Sequence, residues 1–143
     1  MESADIVGSW EIVDWVQDYD DGRTVYPMGA RPRGVLVYTS DGRMLSMVSA
    51  SDRPPFATGG QWDADDAEKV AAYQSFLAYC GTFSVCGDQV RHQVDLSLFP
   101  NWVGAELVRT ARWRDGELEL LARLEDGTPE ARTARLRWRR AVA

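Results

Sequence analysis

Gly8-Ser9-Trp10 heads the first alternating run of the chain, in which Trp10, Ile12, Asp14 and Val16 share one parity and Ser9, Glu11 and Val13 take the other. Alternation of this kind places one set of side chains on a sheet face that can be buried and turns the other toward solvent. The run reads as a strand over residues 8–19 and ends in the turn chemistry of Asp20-Asp21-Gly22-Arg23, with Tyr26-Pro27-Met28-Gly29 continuing the loop.

Downstream, the same grammar repeats. A strand over 34–39, the turn Ser40-Asp41-Gly42 and a strand over 44–49 make a hairpin of the Asp-Gly type. Residues 50–61 have no period, and Pro54-Pro55 followed by Gly59-Gly60 excludes regular structure there. Asp65 with Glu68 forms a capping pattern for a helix over 66–79, with Val70, Tyr73 and Leu77 at helical spacing and Gly81 as its stop. Five further strands follow over 82–86, 90–99, 107–113, 117–122 and 132–139, separated by Gly87-Asp88, residues 100–104, Asp115-Gly116 and Asp126-Gly127. Eight strands joined mainly by hairpins, with one helix after the third, predict an all-β, eight-stranded antiparallel up-and-down barrel whose helix and Pro-Pro-Phe loop cover the open end.

With 143 residues, the chain fits one domain (1–143) that buries roughly two thirds of its unfolded surface. A net charge of −6 disfavours a phosphate backbone as partner, so nucleic acid is not expected. The basic residues Arg132, Arg135, Arg137, Arg139 and Arg140 are interleaved with Ala134, Leu136 and Trp138, which reads as the wet face of a strand. No apolar stretch approaches the roughly 18 residues of a membrane span, and Met1-Glu2-Ser3-Ala4-Asp5 is the opposite of a cationic leader. A cytoplasmic protein with no membrane partner is expected, and a homodimer is left open. Cys80 and Cys86 fall on one expected strand, roughly 20 Å apart at about 3.3 Å per residue, too far for a disulfide.

Gly8-Ser9-Trp10, the stretch Val37-Tyr38-Thr39-Ser40-Asp41-Gly42-Arg43-Met44, Asp52-Arg53-Pro54-Pro55-Phe56, Tyr79-Cys80-Gly81-Thr82-Phe83, Ser97-Leu98-Phe99-Pro100-Asn101-Trp102-Val103-Gly104 and the terminal Leu136-Arg137-Trp138 occur in this order. Together they resemble the lipocalin-like domain family, compact bacterial and fungal barrels within the calycin class. The resemblance implies that a basic residue of the last strand lies over Trp10 at the narrow end. Arg140 has the parity for it, or Arg139 if a bulge intervenes. It also implies one of two occupations, a cofactor-free cyclase or isomerase of a natural-product pathway, or a plain binding protein.

The residues themselves exclude several chemistries. One His and two unpaired Cys cannot make a zinc site, so no metal is expected. No phosphate-cradling glycine motif or G-x-S-x-G elbow occurs, and Lys69, the single lysine, lies on the polar side of the expected helix, so no cofactor is expected either. His92 shares parity with Val90, Val94, Leu96 and Leu98 and so falls on the apolar face, as a buried structural imidazole or as a general acid or base. Arg109 alternates with Leu107, Ala111 and Trp113 and needs a partner inside the barrel. That partner is either the carboxylate of Asp14 or an anionic oxygen of a ligand. Tyr38 can donate its hydroxyl to a carbonyl oxygen, or simply pack.

Met44, Met47, Phe56, Tyr73, Phe83 and Trp102 are the expected apolar contacts to a small hydrophobic ligand. The leading expectation is a cofactor-independent cyclase, isomerase or dehydratase acting on a polyketide-like intermediate, with His92 moving the proton, Arg109 and Tyr38 stabilising oxyanion charge and Asp14 orienting a partner. The alternative is a lipophilic-ligand carrier with the same pocket and no acid-base pair. A third is a barrel filled by its own side chains.

Overall fold

The computed structural model describes residues 1–142. In chain order its elements are α1 (Ser3–Ile6), β1 (Gly8–Tyr19), β2 (Thr24–Val25), β3 (Arg33–Tyr38), β4 (Arg43–Ser49), α2 (Asp66–Gln74), β5 (Phe76–Cys86), β6 (Gln89–Ser97), a 3-10 turn (Pro100–Trp102), β7 (Glu106–Arg114), β8 (Glu117–Leu124) and β9 (Arg132–Arg140). From β3 onward each strand pairs antiparallel with the next, and β1 pairs with both β3 and β9. This closes an eight-stranded barrel, to which β2 adds a short flap on the end of β1.

The Gly-x-Trp stretch lies at the closed end. Trp10 is fully buried and its indole N–H donates to the Ile6 carbonyl at 2.9 Å, so α1 plugs the barrel floor. The Arg140 guanidinium lies 4.2 Å from the centroid of the Trp10 ring and donates to the carbonyls of Val7 (2.6 Å) and Asp5 (2.7 Å). Gly8 has φ +131°, a conformation that favours glycine, and a Cβ there would push aside the Arg140 guanidinium, whose nitrogen would stand 2.7 Å away. Trp138, Leu36 and Leu118 fill the space above Trp10.

The arginines of β9 do form an outer face, and it is ion-paired. Arg135, Arg137 and Arg139 meet Asp18 (3.7 Å), Asp14 (3.2 Å) and Glu11 (3.6 Å) across the β1–β9 seam. Asp14 is therefore outside the barrel and is not the lumen carboxylate its parity implied. The cause is a bulge between Ile12 and Asp14, which shifts the β1–β9 register by one residue and brings Trp15 inward in its place.

A second bulge, at Cys80/Gly81, pairs Gly81 with Val94 and Cys80 with Leu96, leaving Asp95 unpaired. It turns Leu96 and Leu98 outward, 68% and 40% exposed, whereas alternation from His92 places them inside. Gly81 sits at this crossing because a Cβ there would be 1.8 Å from the Gln93 carbonyl oxygen.

The helix is shorter than its sequence pattern. It ends at Gln74, and β5 begins at Phe76 and runs through Gly81, so Leu77 and Tyr79 belong to a barrel strand. Alternation over Leu77, Tyr79, Gly81, Phe83 and Val85 overrides the helical spacing because those positions turn inward beside β4 and β6. Asp65 makes no side-chain cap, and Glu68 instead accepts from the Ala57 and Thr58 amides, both at 2.9 Å, tying the Pro-Pro-Phe loop to α2. Loop and helix sit beside the open end, where β4 leaves and β5 enters the barrel.

Candidate functional site

Above Trp138 the lumen widens into a cavity of about 60 Å³. Leu77 and Tyr79 of β5, His92 of β6, Arg109 of β7, Leu120 of β8, Leu136 of β9 and Trp15 of β1 contribute to its wall, and Trp102 stands at its mouth. The side chains that line it are overwhelmingly apolar. Ligand pockets for drug-sized molecules run to roughly 300–1,000 Å³, so this one fits a small head group and needs its mouth to move for more.

At one side of the cavity three polar rings form a chain. The Tyr38 hydroxyl lies 2.7 Å from His92 Nε2, and the Tyr79 hydroxyl lies 2.8 Å from Nδ1. His92 and Tyr38 are each 1% exposed and Tyr79 is 7% exposed. Strand pairing builds the cluster: Phe83 opposite His92 on β5–β6 packs on the Tyr38 ring at 4.6 Å, and Tyr79 lies opposite Ser46 on β4–β5.

The proton positions follow from satisfaction. Among the described residues Tyr38 has no hydrogen-bond partner except His92 Nε2, and a buried hydroxyl without an acceptor is costly. Tyr38 therefore donates to Nε2, the imidazole carries its proton on Nδ1, and that N–H donates to the Tyr79 oxygen. The O–H of Tyr79, which lines the cavity, is left free to donate into it.

Burial holds all three groups neutral. It pushes the Tyr38 hydroxyl well above the ordinary tyrosine value, with Tyr79 adding to the effect and Arg109 opposing it. Burial also raises Tyr79, against the charge of Arg109 and a hydrogen bond with it. His92 is lowered to about 3, first by burial and then by the positive charge of Arg109. With both nitrogens engaged and its basicity depressed, His92 is a structural connector between two tyrosines.

Arg109 is the cation of this cavity. It donates to the Val108 carbonyl at 3.3 Å and stands beside the Tyr79 hydroxyl, and no Asp or Glu lines the cavity or comes within 4 Å of its guanidinium among the described residues. Asp14, the partner its parity suggested, is committed to Arg137 on the outside. A guanidinium facing an apolar lumen without a carboxylate is set to receive an anionic oxygen.

A family profile described as lipocalin-like domain matches residues 7–141. The chain belongs to the lipocalin-like domain family. Among solved structures, a mutant of the fluorescent protein UnaG is 16% identical to this lipocalin-like chain, with 96% of each chain covered and a TM-score of 0.42. No curated protein matches it.

The lipocalin-like barrel brings together four of the residues its sequence singled out, His92, Arg109, Tyr38 and Trp102, and disperses the rest. Met44 is buried lower in the core, and Phe83 packs against the core without lining the cavity. Met47 is 41% exposed, because Met44, Ser46 and Val48 take the inward positions of β4. Phe56 and Tyr73 lie on the loop and helix outside the barrel wall, and neither lines the cavity. Tyr79, Trp15, Trp138 and Ser46 are among the cavity residues that sequence reasoning missed. For Tyr79 the available signal was the inward alternation of residues 77–85, which continues straight through Gly81.

No group of three or more His, Cys, Asp or Glu among the described residues is placed to hold a metal. Cys80 and Cys86 are free. Among the described residues no helix is long and apolar enough to cross a membrane.

Proposed function

We propose that this barrel binds a small, largely hydrophobic molecule in its lumen through one acidic oxygen, a carboxylate or enolate, held by Arg109 and the free O–H of Tyr79. The observation that carries the reading is Arg109 itself, a cation on a cavity wall that offers it no carboxylate. Family membership supports the coarser half, a barrel with a small-ligand lumen. The polar groups supply orientation and the apolar wall supplies affinity, and exclusion of water strengthens the ion pair.

A cofactor-independent cyclase, isomerase or dehydratase would use the same Arg109 and Tyr79 pair to stabilise developing oxyanion charge. It would also need a base with a free lone pair beside the reacting carbon. His92 offers none, since Tyr38 and Tyr79 occupy both ring nitrogens. Binding without proton transfer by His92 is the reading that the geometry favours. Calorimetric titration with hexanoate and with hexylamine tests it. Wild type binds the carboxylate and not the amine, and Arg109→Met weakens carboxylate binding by about tenfold or more, the worth of a lost charged hydrogen bond. Equal affinity for acid and amine, or an Arg109→Met variant that binds hexanoate as wild type does, overturns it.

A further inference from the structure

Six tryptophans occur in this chain, and two of them are anomalous. Trp10 donates its indole N–H to Ile6, but the indole nitrogens of Trp15 and Trp138 are buried with no hydrogen-bond partner. Both residues line the cavity, and Trp138 is 1% exposed. The other buried atoms without a partner belong to Arg132, Arg135, Arg137 and Glu119, all in ion pairs on the barrel's outer side or rim. Among the described residues that line the cavity, the two indoles are the buried donors with no acceptor, and buried donors are almost always satisfied.

The strand order says where they stand. Around the closed sheet β1-β3-β4-β5-β6-β7-β8-β9, β9 is four strands from β5 and β1 is four strands from β6. In an eight-stranded barrel that is the opposite wall. Trp15 and Trp138 therefore face Tyr79 and His92 across the lumen, with Trp15 beside Leu136 and Trp138 beside Ile12 in register. Among the side chains that line the cavity, Arg109, the Tyr79 O–H and the two indole N–H groups are donors, the His92 nitrogens are taken by the two tyrosines, and the Ser46 hydroxyl can act either way.

We infer that the ligand carries a second, neutral oxygen acceptor, a ketone or ester carbonyl, separated from its acidic oxygen by an apolar span, and that Trp15 and Trp138 receive it. The ligand class is an oxo-acid rather than a plain fatty acid. An indole N–H gives a directional bond to a carbonyl and little to a methylene, so an alkyl chain leaves both donors unmet and an oxo-acid meets at least one. This rests on the proposal that Arg109 and Tyr79 hold the acid.

The test compares hexanoate with 4-oxohexanoate and 5-oxohexanoate by calorimetry, alongside ¹⁵N-indole NMR of the tryptophan side chains. At least one oxo-acid is expected to bind about tenfold tighter than hexanoate, one hydrogen bond's worth. The Trp15 and Trp138 indole protons are expected to move downfield with that ligand only. Trp15→Phe and Trp138→Phe are expected to remove the oxo-acid preference, read within each variant as the ratio of oxo-acid to hexanoate affinity. The wild-type NMR shifts decide the matter if Trp138→Phe does not fold. Equal binding of all three acids, with unmoved indole protons, overturns the second acceptor and leaves the acid anchor standing. Failure of every acid to bind overturns the anchor itself.

Discussion

Acidification from pH 7 to pH 5 isolates the buried imidazole. In the folded protein His92 is lowered to about 3 by burial and by Arg109, whereas in the unfolded chain it titrates near 6.5. Between those values the unfolded state binds a proton that the folded state refuses, so stability rises with pH across the window and is lost as pH falls through 6.5 toward 3. Down to pH 5 the loss is about 1.5 pH units at 1.36 kcal/mol each, or about 2 kcal/mol, and it levels off below pH 3. That corresponds to a fall in Tm of roughly 4–8 °C for a chain of this size. Carboxylates titrate in the same range, so the assay is the difference in unfolding free energy between wild type and His92→Gln, whose amide carries no charge at any pH. The wild type is expected to lose about 2 kcal/mol relative to the variant between pH 7 and pH 5. Because His92 is the single histidine, its ¹⁵N resonances can be followed without assignment. A difference that does not change with pH, or an imidazole that titrates near 6.5 in the folded protein, refutes the account of a desolvated neutral His92.

The same ¹⁵N spectrum reports the tautomer, and a proton on Nδ1 is expected; a proton on Nε2 contradicts the direction of the Tyr38 bond. Tyr38→Phe leaves a buried Nε2 acceptor without a donor and is expected to cost about 1–3 kcal/mol in chemical denaturation, and no loss would mean the bond is not made. Gly81→Ala places a Cβ 1.8 Å from the Gln93 carbonyl, so it is expected to cost more than about 3 kcal/mol or to abolish folding, as backbone clashes do. Arg140→Met removes two bonds to carbonyls and the contact with Trp10. It is expected to lower stability by about 1–2 kcal/mol, given the exposure of the side chain, and to leave hexanoate affinity unchanged, a shared loss being the contrary result. Trp102→Ala at the cavity mouth is expected to speed ligand association in stopped-flow mixing, and an unchanged rate would place the way in elsewhere.

Strand count, hairpin turns and the closed end were legible because their signals are local. Asp41-Gly42 makes its hairpin wherever it stands, and the parity of Arg140 with Trp138 survives because no bulge separates them in β9. The misplacing of Asp14 and of Leu96 and Leu98 has one cause: counting alternate residues assumes an unbroken pleat, and bulges at Ile12/Asp14 and Cys80/Gly81 break it. The first moves Asp14 out and Trp15 in. The second turns Leu96 and Leu98 outward while His92, ahead of it, keeps its place.

Met47 needs no bulge to explain it, since it and Met44 have opposite parity and cannot share a face. Tyr79 was hidden by local helical spacing that ends where β5 finds its two neighbours. Arg109 and His92 were legible as lumen residues. Their roles were not, because a free guanidinium and a doubly bonded imidazole are distinguished only by what stands beside them.

A structure determined with a bound alkyl carboxylate tests the central claim most directly. Carboxylate oxygens are expected within about 3.2 Å of the Arg109 guanidinium and the Tyr79 hydroxyl, with the chain running past Trp102 toward the mouth. A carboxylate seated on the outer wall, or a lumen in which Arg109 makes no contact with the ligand, would contradict it.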